Sequence, residues 1–253
     1  MASADRNGSL PGSLDRSEVE KFAGLAAEWW SPTGKFAALH KLNPPRLAFI
    51  RAEAERAFGR SPSARRPFEG LSALDIGCGG GLVAEPVARL GANVTAIDAA
   101  PESLAVARGH AEAEGLAIAY DEATAEALAA QGKVFDIVLA LEIVEHVPDV
   151  PAFLAAAAAL VRPGGLIVLS TINRTPKAYA LAIFAAERVL HWAPEGAHRY
   201  DRLVRPGEIR DALTPHGLEM HPPAGLSYDL LADRWRLTHD VSVNYILSGV
   251  KAR

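Results

Sequence analysis

From Leu71 to Ser170 the chain alternates short apolar runs with longer Ala-rich stretches, and this feature restricts its fold more than any other. The runs are Leu71–Ile76, Asn93–Asp98, Ala117–Asp121, Phe135–Leu139 and Leu166–Ser170, with gaps long enough for crossover helices. Strands apolar along their whole length are buried on both faces, which requires helices on each side of a parallel sheet. The pattern predicts an α/β fold built on a doubly wound, Rossmann-like, mostly parallel sheet. A hydrophobic content of 49% over 253 residues supports one sizeable core, not two enzyme-sized domains.

Residues 1–16 are rich in Ser, Gly, Pro and charge and read as a disordered tail. Residues 17–60 read as an N-terminal helical cap. Ser17 and Glu20, at capping-box spacing, start a helix from Glu18 to Trp30, and Pro44-Pro45 starts a second toward Phe58. Residues 71–253 then form the ligand-binding domain, with a helical insertion at 174–206 and a last β-like run at Val243–Val250. A net charge of −4 provides no global cationic field, so nucleic acid is not an expected partner. One cysteine, Cys78, cannot form an intramolecular disulfide, and Met1–Leu14 lacks the basic start and apolar core of a signal peptide. A cytoplasmic location follows as the expectation.

The first run ends in Asp75-Ile76-Gly77-Cys78-Gly79-Gly80-Gly81 and enters a helix near Leu82. Glycines at a strand-to-helix turn let a ligand approach the backbone, and the helix start offers unpaired N–H groups. The second run ends at Asp98, where a carboxylate can accept both hydroxyls of a ribose; a strand-end turn or helix cap is the plainer role. Gly77, Gly79 and Gly81 alternate, which departs from the G-x-G-x-x-G spacing of dinucleotide enzymes. With Asp75 in front they resemble the D-x-G-x-G-x-G turn of class I methyltransferases. Gly77 then faces the methionine part of the ligand.

The fourth run continues into Leu141-Glu142-Ile143-Val144-Glu145-His146, beyond the carboxyl end of a strand, where ligands of such sheets bind. If the chain turns helical after Leu141, Glu142, Glu145 and His146 share one face at i, i+3 and i+4. They are the candidate catalytic residues and candidate metal ligands. A scaffold role, with the glutamates favouring a helix start, remains the alternative.

The block Glu28-Trp29-Trp30-Ser31-Pro32-Thr33-Gly34-Lys35-Phe36, followed by Leu39-His40-Lys41-Leu42-Asn43-Pro44-Pro45-Arg46-Leu47, resembles the amino-terminal signature of the UbiG family of ubiquinone-pathway O-methyltransferases. The similarity continues through Asp75–Gly81, Asp98, Glu142–Pro148, Ser170–Arg174 and Asp240–Tyr245. It implies a class I S-adenosylmethionine-dependent enzyme that methylates a polyprenylated catechol and, later in the pathway, demethylubiquinol. It carries donor contacts onto Arg46, Gly77, Asp98 and Leu141, and an association with Mg²⁺. A guanidinium at Arg46 suits the donor's carboxylate, which it can grip bidentately. Adenine is expected near Thr124-Ala125-Glu126. Trp29 and Trp30 are either core aromatics or a lid over the donor.

A phenol of pKa near 10 is only about a thousandth ionised at pH 7, so making the phenolate costs roughly 4 kcal/mol. A divalent cation across both catechol oxygens would lower that cost. Glu142 and Glu145 suit Mg²⁺, whereas His146 suits another divalent ion better. Between Arg174 and Pro206, Tyr179, Ile183, Phe184, Val189, Leu190 and Trp192 accompany Arg174, Lys177, Arg188, Arg199, Arg202 and Arg205. That mixture predicts an interfacial element bringing the protein to the inner face of the membrane; a pocket cap or dimer contact is the alternative. Other quinone-biosynthesis proteins are expected partners. The rival functions are a class I methyltransferase for another small molecule and a non-catalytic S-adenosylmethionine-binding subunit.

Overall fold

The computed structural model describes residues 15–181 and 199–253. The expected tail, apart from its last two residues, and the core of the expected interfacial element, Ile183 to Trp192, lie outside the described residues. The chain enters through α1 (Arg16–Ala23), a single 3-10 turn (Ala26–Glu28) and α2 (Ala37–Phe58). Then follow β1 (Ser72–Ile76), α3 (Ala84–Arg89), β2 (Asn93–Asp98), α4 (Pro101–Ala113), β3 (Ile118–Glu122), α5 (Ala125–Ala130), β4 (Phe135–Leu141), α6 (Val150–Ala159) and β5 (Val161–Ile172). After α7 (Pro176–Ala178) and α8 (Pro206–Leu213) come β6 (Leu218–Met220), β7 (Ala224–Asp229), β8 (Arg234–Thr238) and β9 (Asn244–Lys251).

Among the described residues these strands form one nine-stranded sheet in the order β3-β2-β1-β4-β5-β9-β7-β8, with β6 also on β9. The first five are parallel, as the apolar runs predict, and the rest are antiparallel. The order reverses between β1 and β4, so a crevice opens above their carboxyl ends. One face is covered by α5, α6 and α8, which bury Leu128, Phe153, Leu154, Ile209 and Leu213 against β4 and β5. The other is covered by α2, α3 and α4, with Ile50, Ala54, Val87 and Leu104 fully buried.

The N-terminal segment departs from its expected form. Asp15, not Ser17, caps α1, accepting from the Ser17 N–H at 3.1 Å. The helix closes at Gly24, well before Trp30, and the chain bends so that both tryptophans reach the glycine turn. Helix α2 starts at Ala37 and carries Pro44 and Pro45 in its interior. Proline has no N–H, so the carbonyls of His40 and Lys41 lose their intrahelical donors, a cost of about 3 kcal/mol or more in an ordinary helix. Burial of Leu42, Asn43, Arg46 and Ile50 holds the helix together across that defect. Strands β6, β7 and β8 carry weak sequence signals because β6 has three residues and β8 is a half-exposed edge strand.

The basic residues of 174–206 that are described are ion-paired. Arg174 meets Glu208, Lys177 meets Asp240 at 2.6 Å, Arg199 meets Asp201 at 2.8 Å and Arg202 meets Asp15 at 2.8 Å. The positive balance read along the sequence is therefore offset in space for Arg174, Lys177 and Arg202 by acids from outside the segment. No helix among the described residues is long and apolar enough to cross a membrane.

At the amino-terminal edge, Asp136 holds three central strands in register. Its Oδ2 accepts from the Ser72 N–H at 2.8 Å and from Ser72 Oγ at 2.7 Å, and its Oδ1 accepts from Arg162 Nε at 2.5 Å. Hydrogen bonds to an ionised group contribute on the order of 1.5–3 kcal/mol, so Asp136→Ala is expected to lower stability by roughly 2–3 kcal/mol in urea denaturation. Asp136→Asn should lose less.

Candidate active site

The glycine turn is tied to β2 by its own backbone: the Gly77 and Cys78 N–H groups donate to the Ile97 carbonyl at 2.8 and 3.0 Å. Gly79 has φ +52° and lies directly under Trp29, so a Cβ there would sit 2.3 Å from the indole. Only glycine satisfies both demands. At the end of β2, Asp98 Oδ2 accepts from the Gly79 N–H at 2.8 Å and Oδ1 from the Ala100 N–H at 2.9 Å. A carboxylate has about four lone-pair sites, so acceptor capacity remains. Asp98 thus braces the turn, its plainer role, while also lining the pocket. Burial raises its pKa above the ordinary carboxylate value, against the opposing N–H bonds.

The pocket runs from Thr124, Ala125 and Glu126, past Asp98, Gly79 and Gly77, to Glu142, Ile143 and His146. Its roof is N-terminal: Asp15, Glu18, Val19, Phe22 and Trp29. Trp29 stacks on Phe36 with centroids 3.7 Å apart and donates from Nε1 to Ser103 Oγ at 3.1 Å. Trp30 stacks on His110 at 3.5 Å and donates to the Gly80 carbonyl at 2.9 Å. Trp29 therefore belongs to a buried aromatic cluster and to the roof at once. Two contacts fasten α1 over the pocket: a hydrogen bond between His146 Nδ1 and Glu18 Oε2 at 2.8 Å, and an ion pair of Asp15 with Arg202.

Glu142, Glu145 and His146 do not share a helical face. Strand β4 runs to Leu141, Glu142 then takes the left-handed conformation at φ +53°, and only Val144–His146 form a 3-10 turn. Glu142 accepts from Ser170 Oγ at 2.6 Å and lies 3.8 Å from Arg46 Nη1. His146 faces the pocket and Glu18. Glu145 is buried beside Thr171, and neither of its oxygens has a hydrogen bond of normal geometry. Among the described residues no three His, Cys, Asp or Glu side chains are grouped so as to hold a metal ion.

Arg46 is 2% exposed and does not line the pocket; it lies behind Glu142. Its Nη2 donates to Asn43 Oδ1 at 2.5 Å, Asn43 in turn donates to the Leu82 carbonyl at 2.8 Å, and its Nε has no partner. Leu141 is buried at the end of β4, also behind the pocket wall. Burial pushes Asp75 up to about 7, with the Arg46 charge pulling the other way and Asp98 adding to the rise. Burial, then the charge on Glu142, pushes Glu145 up to about 8. One guanidinium cannot neutralise three enclosed carboxylates, so protons take up the balance. That Asp75 feels the Arg46 charge could be suspected from the acid that opens the glycine motif. The contact of Glu18 with His146 could not, because 128 positions separate them.

The family model for a methyltransferase domain matches residues 74–169. Solved structures share the fold. One is magnesium protoporphyrin IX methyltransferase of Synechocystis PCC 6803 with bound SAH (TM-score 0.57, 18% identity, 84% of this chain and 85% of that one). A possible histamine N-methyltransferase of Thermotoga maritima gives TM-score 0.58 at 16% identity over 92% and 99%. Switch-point sheet, glycine turn and strand-end Asp98 make this an S-adenosylmethionine-dependent methyltransferase. Its sequence is 55% identical to the ubiquinone biosynthesis O-methyltransferase of Rhizobium rhizogenes, over 94% of this chain and 96% of that protein. It is 54% identical to the enzyme of the same name from Rhizobium leguminosarum bv. trifolii, over 92% and 93%. The chain belongs to the ubiquinone biosynthesis O-methyltransferase family.

Glu145 has a consequence for stability. Its ordinary pKa of 4.5 rises to about 8 in the fold. Between those values the native state keeps a proton that the unfolded state has lost, so stability falls as pH rises through the window. Glu145→Gln, neutral throughout, is expected to flatten that fall and to be more stable than the parent near pH 8 by on the order of 2 kcal/mol. Thermal melts of both proteins between pH 5 and pH 9 check this, with roughly equal stability expected at the acid end.

Proposed function

We propose that this enzyme transfers the methyl group of S-adenosylmethionine to a phenolic oxygen of a polyprenylated catechol and, in a second reaction, of demethylubiquinol. The observation that carries this reading is the 55% identity to an enzyme named for O-methylation in ubiquinone biosynthesis, sustained over 94% of the chain. In it, Gly77 and Asp98 bind the methionine and ribose parts of the donor, with adenine against Thr124–Glu126. Arg46 supplies the positive field for the donor's carboxylate from behind Glu142, and Leu141 shapes the wall by packing.

His146 takes the phenolic proton. Its location at the pocket and the Glu18 carboxylate on its Nδ1 support that role, since an acid on one ring nitrogen fixes the tautomer and favours the charged ring. Glu142 and Glu145 set the charge around the acceptor, Glu145 in its neutral form. The α1 and Trp29 roof excludes water from the sulfonium. Among the described residues no group of side chains forms a ready site for Mg²⁺ or another divalent cation. Residues 174–206 form a membrane contact in this reading, with the protein on the inner, cytoplasmic face of the bilayer beside other quinone-biosynthesis proteins. Exposed Tyr179 and Leu181 at its start support that placement.

Donor binding tests the pocket assignments by calorimetry. Asp98→Ala is expected to weaken S-adenosylmethionine by about 2 kcal/mol or more, roughly thirtyfold. Arg46→Ala should weaken S-adenosylmethionine and S-adenosylhomocysteine but spare adenosine, which lacks a carboxylate; equal losses for all three would assign Arg46 to structure. Turnover tests the chemistry. Mass spectrometry of a prenylated catechol incubated with enzyme and donor should show one added methyl on oxygen, and His146→Ala should lower kcat far more than donor affinity. Activity unaffected by EDTA would exclude a divalent cation, and loss restored by Mg²⁺ would establish one.

A further inference from the structure

The β7–β8 hairpin rises above the sheet. Leu226 pairs with Asn244, which pairs with Ile172, so Leu226 marks the last row of the sheet at its carboxyl edge. Ser227 to Asp229 continue past that row, a rise of roughly 10 Å at about 3.4 Å per residue. The hairpin tip thus projects on the same side as the donor pocket. At the tip, Leu230 is 77% exposed and Leu231 101% exposed. Asp229 Oδ1 accepts from both the Leu231 and Ala232 N–H groups at 3.1 Å. Asp233 accepts from Lys41 Nζ at 2.8 and 2.9 Å, and from Tyr228 Oη. The turn is therefore held on both sides, with its leucines outward.

Exposed apolar side chains are distributed unevenly between the two ends of the molecule. Seven large hydrophobic residues are exposed among the described residues, and Tyr179, Leu181, Tyr200, Leu230, Leu231 and Leu237 all lie at the carboxyl-edge end. Val134, just before β4, is alone at the other end. The charges around the tip favour phosphate. Lys41 is paired with Asp233 at 2.8 Å and Arg236 lies 3.8 Å from Asp229, so the tip carries one positive charge in excess, on Arg234. Arg234 and Arg236 stand one and three residues below the tip, at the depth where headgroups meet a side chain inserted to the acyl boundary.

We propose that the β7–β8 tip inserts Leu230 and Leu231 into a lipid surface, with Arg234 and Arg236 on the phosphates, and sets the pocket mouth toward the bilayer. This rests on the reading above, in which the acceptor is polyprenylated and the protein sits on the inner face of the bilayer. Two leucines give a shallow, reversible contact that adds to any other attachment.

The test uses the full chain. Partition onto vesicles of phosphatidylcholine and phosphatidylglycerol is measured by sedimentation for the parent and for Leu230→Ser/Leu231→Ser. The double variant is expected to bind tenfold or more weakly while keeping its affinity for S-adenosylmethionine. Cys78 is buried, so Leu231→Cys can be labelled selectively with an environment-sensitive nitrobenzoxadiazole dye, whose emission should shift to the blue on adding vesicles. Unchanged partition together with an unshifted label would overturn the proposal. So would a change in oligomeric state on mutating the leucines with partition intact, because the tip would then be a contact between copies. Methylation of a tail-less, water-soluble catechol separates the two readings. If both proteins methylate it equally and only vesicle binding differs, the tip is a lipid contact; if the parent methylates no catechol, the functional reading falls while partition and the label still decide the tip.

Discussion

A guanidinium buried among carboxylates holds the carboxyl edge of this sheet together. Arg46 comes from α2, Asp75 from β1, Glu142 from the residue after β4 and Glu145 from the turn beyond; the guanidinium acts on all three acids, while burial raises Asp75 and keeps Glu145 protonated at neutral pH. Enclosing an ion costs several kcal/mol unless neighbours compensate, so the helix and the two strands at the switch point must meet in one arrangement. Asn43, bonding both Arg46 and the Leu82 carbonyl, extends the constraint into the turn that leads from the glycines to α3. The two prolines of α2 stand immediately before Arg46, and burial around the guanidinium offsets a helix defect that would be costly on a free surface.

Above that layer the site is assembled from both ends of the sequence. The glycine turn bends so closely that Trp29 can lie on it, and Trp30 bonds the Gly80 carbonyl, so the N-terminal segment completes the pocket. The contacts of α1 with His146 and Arg202 are a hydrogen bond and an ion pair at a partly exposed surface, each individually weak. A roof of this kind reconciles water exclusion with exchange of a large donor.

The carboxyl edge also carries six of the seven large apolar side chains exposed among the described residues. In a doubly wound sheet the crevice and the longer loops necessarily share that edge, so a binding surface there approaches whatever the pocket approaches. The antiparallel hairpin beyond β9 adds a rigid projection that a purely parallel sheet would lack.

The amino-acid sequence by itself determined the parallel half of the sheet, the glycine turn, Asp98 and the family, because each is encoded in consecutive residues or in a short period. Apolar runs specify strands buried on both faces, and alternate glycines specify a backbone that no side chain permits. Only the tertiary structure decided how Glu142, Glu145 and His146 are oriented. Helical spacing places them together, but the left-handed Glu142 sends it to Arg46 and leaves Glu145 beside Thr171. It also decided that α2 runs through Pro44-Pro45, that Glu18 reaches His146, and that Arg174, Lys177 and Arg202 are neutralised by acids elsewhere. Local propensity carries no information about charges brought from distant positions, and those charges determine where a buried or paired side chain finally points.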